Sequence, residues 1–367
     1  MAVVVSAAPV TGQRIEIVTF VPSQIMCAET PMPGTGVVMS LPVVVNRYGP
    51  AIQSAPALVL RYDFVIDADG RTRTIRRTAT ASTPGYYVNT SDIAPSLAVS
   101  RFPAGDPRSK CSITYTGLTV PIDAAPLQVL YELASRPETE GTVGTVYDRL
   151  RPVGSDCRRG PGQYRRLNLP AFEKIARPPG AASWVFLAYD VDRAGKPNTV
   201  RVLGSSGNQA LDRAGASALS NNRYEPGIGF IGCTYHFNGA EPSERTAPEL
   251  PADAPRDNGE QPGCVVDPTS ISALLDGSAY PSAFARRRIK GVAVVGYDTA
   301  PWGAIGNVRI LASEPDEAFG EAARSVLSSA RVSESATGRR GCIRRIRFEL
   351  SPVGVARQLP YRPVMHR

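Results

Sequence analysis

The chain has 367 residues, 43% of them hydrophobic, a formal net charge of +8 and six cysteines, and its length predicts two or three domains of about 100 to 150 residues. No apolar run approaches the roughly 18 residues that a membrane-spanning helix needs, so no transmembrane segment of its own is expected. The positive charge is nearly all arginine and is scattered rather than striped, which fits a GC-rich coding bias better than a nucleic-acid surface.

Ala2 to Pro9 has the small, apolar character of the end of a secretory signal peptide. It lacks a basic n-region and a full h-region, and equally suits a first strand behind Met1. Leu58 to Gly70, followed by Arg71 to Arg77, reads as a hairpin. Ile93, Leu97 and Val99 then mark a short helical stretch interrupted by Pro95, and Cys111 to Tyr115 begins a closing strand.

Pro126 to Ala134 patterns as an amphipathic helix packed near the segment that follows. From Ser183 to Leu203 a second hairpin is clearer. Val185, Leu187, Tyr189 and Val191 fall on one face at period two, and Ala194 and Gly195 supply the turn. Leu211, Gly215, Ala218, Leu219 and Asn222 share a helix face, and Cys233, Thr234, Tyr235, His236 and Phe237 form a second closing strand.

Residues 240–262 are rich in Pro, Glu, Asp and Ala without apolar periodicity and read as a flexible or extended linker. The same order then returns. Val292 to Asp298, a turn at Gly303 and Asn307 to Leu311 make a hairpin. Phe319, Ala323, Val326, Leu327 and Ala330 make a helix face. Cys342, Ile343, Arg344, Arg345, Ile346, Arg347 and Phe348 close the copy, and the tail beyond Pro352 is proline-rich.

Each closing strand starts at a cysteine, and one further cysteine lies upstream of each hairpin. Six cysteines admit fifteen pairings, and the repetition selects Cys27 with Cys111, Cys157 with Cys233 and Cys264 with Cys342. Six independent buried thiols are the alternative. Such bridges close long loops, contribute about 4 kcal/mol each in the chain-entropy model, and place the protein in an oxidising compartment.

No C-x-x-C or neighbouring histidine completes a zinc set, so no metal or cofactor is expected. His236 and His366 neighbour no nucleophile in sequence, and His236 reads as a solvent-facing strand residue. Asp67, Asp69, Asp190 and Asp192 read as turn-adjacent polar groups rather than paired catalytic carboxylates. Gly204 to Gly207 lacks the residues of a phosphate loop. Arg286 to Arg288 and the pair Arg344 and Arg345 have no aromatic platform for nucleic acid, and no such partner is expected.

At these residues the chain resembles the C-terminal domain of TonB. In the second copy Tyr189 to Lys196, Val200 to Ser206, Leu211 to Ala214 and Arg223 to Gly227 carry the likeness. In the third, Ala279 to Ser282, Arg288 to Val292 and Asn307 to Ser313 do, and the first matches mainly through Val65 to Arg71. The resemblance implies an α+β fold of three tandem modules, each a small antiparallel sheet packed on one or two helices. The expected boundaries are 14–120, 121–239, the linker 240–262, 263–352 and an irregular tail 353–367.

In TonB such a domain lies in the periplasm and adds a receptor peptide's strand to its sheet edge, by β-augmentation. The resemblance therefore implies a non-enzymatic periplasmic adaptor for envelope proteins or extended peptide strands, linked to TonB-dependent transport. Its expected binding edges are the closing strands 233–237 and 342–348. Without a membrane anchor or a long spanning spacer, a scaffold fits better than an energy transducer. The alternative is a structural subunit docked permanently in a larger envelope or membrane-protein assembly.

Overall fold

A computed structural model describes residues 14–32, 36–47, 57–81, 86–136, 143–158, 160–239, 241–275 and 277–350. The stretch 2–9 and the tail 353–367, read above from sequence, lie outside the described residues. The fold is α+β, with helices packed on several small antiparallel sheets.

In the first unit the strands are β1 (Arg14–Pro22), β2 (Ile25–Cys27), β3 (Thr30–Met32), β4 (Val43–Arg47), β5 (Val59–Ile66) and β6 (Thr72–Ala81). The short helix α1 (Ile93–Val99) and the long strand β7 (Arg108–Pro121) follow. β5 and β6 form the hairpin, and β7 returns antiparallel beside β5, from Ile66↔Arg108 to Val59↔Thr116. The outer edge of β7 is occupied as well, by β2 and β1. The sequence pattern did not reveal β1 to β4; β2 and β3 are three residues each and β4 is five, too short for a period to stand out.

Two helices, α2 (Leu127–Ala134) and α3 (Val143–Leu150), lead to the second unit. It comprises β8 (Tyr164–Arg166), β9 (Trp184–Val191), β10 (Pro197–Ser205), α4 (Gln209–Asn221), β11 (Arg223–Tyr224) and β12 (Phe230–Asn238), with strand order β10-β9-β12. Every residue of β9 except Asp190 is buried, because both faces of the strand are covered. Val185, Leu187, Tyr189 and Val191 pack with Leu211 and Leu219 of α4. Trp184 and Phe186 on the opposite face pack with Leu130 and Tyr131 of α2 and Val146 and Leu150 of α3.

The third unit has α5 (Ser272–Leu275), α6 (Ser282–Arg286), β13 (Gly291–Thr299), β14 (Ile305–Glu314), α7 (Glu317–Ser329) and β15 (Arg339–Phe348), with strand order β14-β13-β15. Phe319, Ala323 and Leu327 of α7 are buried against Ala293, Val295 and Tyr297 of β13.

One backbone course runs through all three hairpins. Their turns place Gly70, Gly195 and Gly303 at φ of 73, 76 and 81°, and four residues on Thr74, Thr199 and Asn307 sit at φ of 50, 49 and 52°. The turn glycine's carbonyl accepts the N–H of Phe102, Tyr224 and Val332 respectively, at 3.0, 2.8 and 3.0 Å. A Cβ at any of these glycines would fall within 2.2 Å of the carbonyl oxygen of that same partner.

Disulfides join Cys27 to Cys111, Cys157 to Cys233 and Cys264 to Cys342, spanning 84, 76 and 78 positions. The units are not separate beads. Ile17 and Ile122 of the first share a core with α2, α3, Trp184 and Phe186. The first and third also share one, and the outer edge of β6 is capped by the third unit. There Thr74 N–H donates to Glu314 Oε2 at 2.9 Å and Ile75 N–H to the Pro315 carbonyl at 2.8 Å.

The segment 241–262, expected as part of a flexible or extended linker, carries no helix or strand, and charged contacts tie its start to the third unit. Arg288 pairs with Glu241 at 2.8 Å and with Glu244, and Lys290 pairs with Glu244 at 3.0 Å. An acidic, proline-rich composition that lacks apolar anchors is held here by the cations beside it.

Candidate functional site: the outer edges of the closing strands

Each closing strand is bent just before its cysteine, where Lys110, Gly232 and Gly341 have φ of 53, 69 and 73°. In the second and third units a carboxylate fixes the bend. Gly232 N–H donates to Asp190 Oδ1 at 2.8 Å and Gly341 N–H to Asp298 Oδ1 at 2.9 Å. The bonds from Asn307 and Gly341 hold the Asp298 carboxyl below the usual carboxylate range. Asp190 thus braces a strand rather than a turn, whereas Asp67 and Asp192 do serve turns, accepting the N–H of Arg71 and Lys196.

A short clasp meets each closing strand from outside. In the first unit Ser23 N–H donates to the Thr114 carbonyl at 2.7 Å, and Thr114 N–H returns to Ser23 Oγ at 3.0 Å. In the second, Asp156 N–H donates to the Ile231 carbonyl at 3.2 Å, and Ile231 N–H returns to Asp156 Oδ1 at 2.7 Å. In the third, Asn258 N–H donates to the Ile343 carbonyl at 3.0 Å, and Ile343 N–H returns to Asn258 Oδ1 at 2.6 Å. A short polar side chain thus supplies the acceptor that a second strand would otherwise provide.

On β15 the clasp extends further. Arg345 N–H donates to Asp257 Oδ2 at 2.8 Å and Asn258 Nδ2 to the Gly341 carbonyl at 3.1 Å. Of the residues expected to bind a partner strand, Ile343 and Arg345 therefore have their outward N–H groups engaged by the chain itself. Over 341–345 the outer edge of β15 is met by Asp257 and Asn258 of the chain itself. Asp257 and Asn258 carried no periodic signal, although a side chain that can bond locally, placed just before Gly259, marks such a turn.

On β12, Cys233, Thr234, Tyr235, His236 and Phe237 pair with β9 on one side. His236 does not face solvent as expected. It lies partly buried in the reach of α3, where its Nδ1 and Tyr147 Oη are 2.8 Å apart, and burial pushes its pKa down to about 4. On the α4 face of the sheet, the hydroxyls of Tyr189 and Tyr224 lie 2.8 Å apart, and burial drives both phenols well above their ordinary range. These groups remain neutral near pH 7 and are built for packing rather than proton transfer.

Among the described residues no three His, Cys, Asp or Glu side chains converge as metal ligands, and no helix is long and apolar enough to cross a membrane. The buried carboxylates are structural. Glu314 accepts from Thr74, and Asp316 caps α7 by accepting the Ala318 N–H at 2.8 Å.

No curated protein matches the chain. A family model does, over residues 276–350, which run from just before α6 to the end of β15. Its description is Gram-negative bacterial TonB protein C-terminal. The third unit, with its hairpin, α7 and clasped β15, is thus the part of the chain that is similar to the TonB C-terminal domain.

Proposed function

We propose that this chain is a non-enzymatic periplasmic adaptor built of three diverged TonB-type modules, holding extended strands of envelope proteins on the outer edges of its closing strands. The repeated course of the hairpin glycines, the positive-φ residues four positions on and the closing-strand bends supports common descent of the three units.

The observation that carries the binding role is β7. Its outer edge takes an antiparallel strand, β1, in register from Pro22↔Tyr115 to Glu16↔Pro121. The chain thus performs strand addition on the first unit, while on β15 a two-residue clasp stands in that place. A partner strand would replace the clasp and continue along Arg347, exchanging side-chain acceptors for main-chain ones. Transport coupled to TonB is the setting that the family match favours.

Ile343→Pro tests this. Its N–H points to Asn258 and away from β13, so proline there removes an outward donor and leaves the β13 ladder intact. The folded variant is expected to lose partners that the wild-type chain retains. Retention of every partner rejects the edge as the binding element.

A structural subunit fixed in a larger assembly is the second reading. The observation favouring it is that the edges of β6, β7 and β15 are satisfied by the chain's own segments. Such a subunit does not exchange its neighbours, and a partner released by competing peptide excludes it.

A further inference from the structure

Counted from their cysteines, Arg345 and Arg347 of β15 stand where β7 carries Thr114 and Thr116. The strand that occupies the β7 edge is neutral like the edge itself. Val21, Thr19 and Ile17 of β1 lie opposite Thr116, Leu118 and Val120. The edge of β15 presents two arginines in the same place, and both are exposed.

Ile343 and Arg345 direct their N–H groups away from β13, to Asn258 and Asp257, and at period two Arg347 continues the row. A residue with an outward N–H lies directly opposite one residue of an added antiparallel strand, with Cα atoms about 5.5 Å apart and both side chains on one face. Arg347, Arg345 and Ile343 would therefore face every second residue of the incoming strand. Of the nearby acids, Glu349 pairs with Lys290 at 2.8 Å, and Asp298 accepts from Asn307 Nδ2 and the Gly341 N–H. Asp257 accepts the Gly259 N–H at Oδ1 and the Arg345 N–H at Oδ2. Among the described residues no carboxylate forms an ion pair with the guanidinium of Arg345 or Arg347. Asp257 also belongs to the clasp and leaves the edge when a strand replaces it. An acid on that strand then gains a cation directly opposite, whereas a lysine or arginine meets its like.

We propose, resting on the strand-addition reading above, that the strand received by β15 is acidic in a set pattern. Two Asp or Glu residues, two positions apart, face Arg347 and Arg345, and two positions further on an apolar residue faces Ile343. The partner is thus an extended acidic segment of a protein, and the two charge pairs fix its register on β15.

The test uses the full chain with Asn258→Ala, which opens the clasp, and short fluorescent peptides of one valine- and threonine-rich sequence. The peptides differ only in carrying Glu-x-Glu, the two acids side by side, Gln-x-Gln or Lys-x-Lys. Anisotropy titrations are expected to show Glu-x-Glu binding about fivefold tighter than Gln-x-Gln, with Lys-x-Lys weakest and the differences shrinking as salt rises. Acids side by side point to opposite faces and should lose much of the gain. Arg345→Gln combined with Arg347→Gln should bring the ratio of Glu-x-Glu to Gln-x-Gln affinity close to one. Arg309→Gln, on the far strand β14, should change that ratio by less than about twofold. Equal binding of Glu-x-Glu and Gln-x-Gln overturns the acidic pattern and leaves strand addition standing. Binding of none of the peptides overturns strand addition and this proposal with it. An acidic preference that survives Ile343→Pro also overturns the proposal, because it then belongs to surface charge in general and not to the edge.

Discussion

Arg287, just past α6 in the third unit, grips the carboxylate of Asp92, just ahead of α1 in the first, with Nε at 2.7 Å and Nη2 at 2.5 Å across 195 positions of sequence. Both residues are buried. The remaining donors and acceptor are also used: Arg287 reaches the carbonyls of Gly180 and Met39, and Asp92 accepts the Leu41 N–H. One ion pair therefore pins four separate segments.

Removing one partner leaves the other charged and buried, so Asp92→Ala is expected to cost about 3 to 5 kcal/mol. Urea unfolding of the disulfide-intact protein measures it. Asp92→Leu combined with Arg287→Met, which removes both charges, should cost less than Asp92→Ala, and an additive loss contradicts this reading.

The turn glycines give a matched series. Alanine at Gly70, Gly195 or Gly303 must adopt positive φ and place its Cβ 1.9, 2.2 or 2.2 Å from a backbone oxygen. Each substitution should cost more than about 1 kcal/mol, and by similar amounts. Gly207, at φ of 86° but with nothing within 4 Å, should lose less on the same change.

Stability should also depend on pH in two opposed ways. Burial, partly offset by the Ala318 N–H, raises the Asp316 pKa from 3.8 to about 7, with Glu317 adding to the rise and Arg77 opposing it. A carboxyl raised on folding contributes fully below its unfolded pKa, and that contribution, up to about 4 kcal/mol, is lost as pH climbs through the folded value. His236, lowered from 6.5 to about 4, contributes above 6.5 and loses that contribution as pH falls toward 4. Asp316→Asn keeps a capping side chain, so it should flatten the Asp316 part of the curve. Urea midpoints for both proteins across this range check it, and an unchanged slope rules the assignment out.

The sequence made the hairpins, α4, α7 and the closing strands legible because their apolar residues repeat at strand or helix period over enough positions to stand out. Val185, Leu187, Tyr189 and Val191 do line one face as read, and Leu211, Gly215, Ala218, Leu219 and Asn222 are buried together. What stayed hidden is polar and long-range. Asp257, Asn258, Asp156 and Ser23 act through single side-chain oxygens, and Arg287 and Asp92 meet only once the whole chain has folded. No local period encodes such contacts. The contacts of 241–262 stayed hidden for the same reason, since Glu241 and Glu244 pair with cations distant in sequence.

The clasp predicts a local effect. Asn258→Ala removes the acceptor for Ile343 N–H and one donor to Gly341, at a cost of about 1 kcal/mol to global stability. Amide exchange should quicken at Ile343 while amides bonded to β13 stay protected. Uniform loss of protection across β15 would mean that Asn258 holds the strand itself rather than its edge.

The central claim is that strands are added at the outer edge of β15. Its most direct test is a photo-crosslinking residue at Arg345 or Arg347, irradiated in intact cells, with the linked peptides sequenced. The account predicts crosslinks to an extended segment of an envelope protein, strengthened when Asn258→Ala opens the clasp. Crosslinks confined to residues 257–258 of the same chain, unchanged by that substitution, would contradict it.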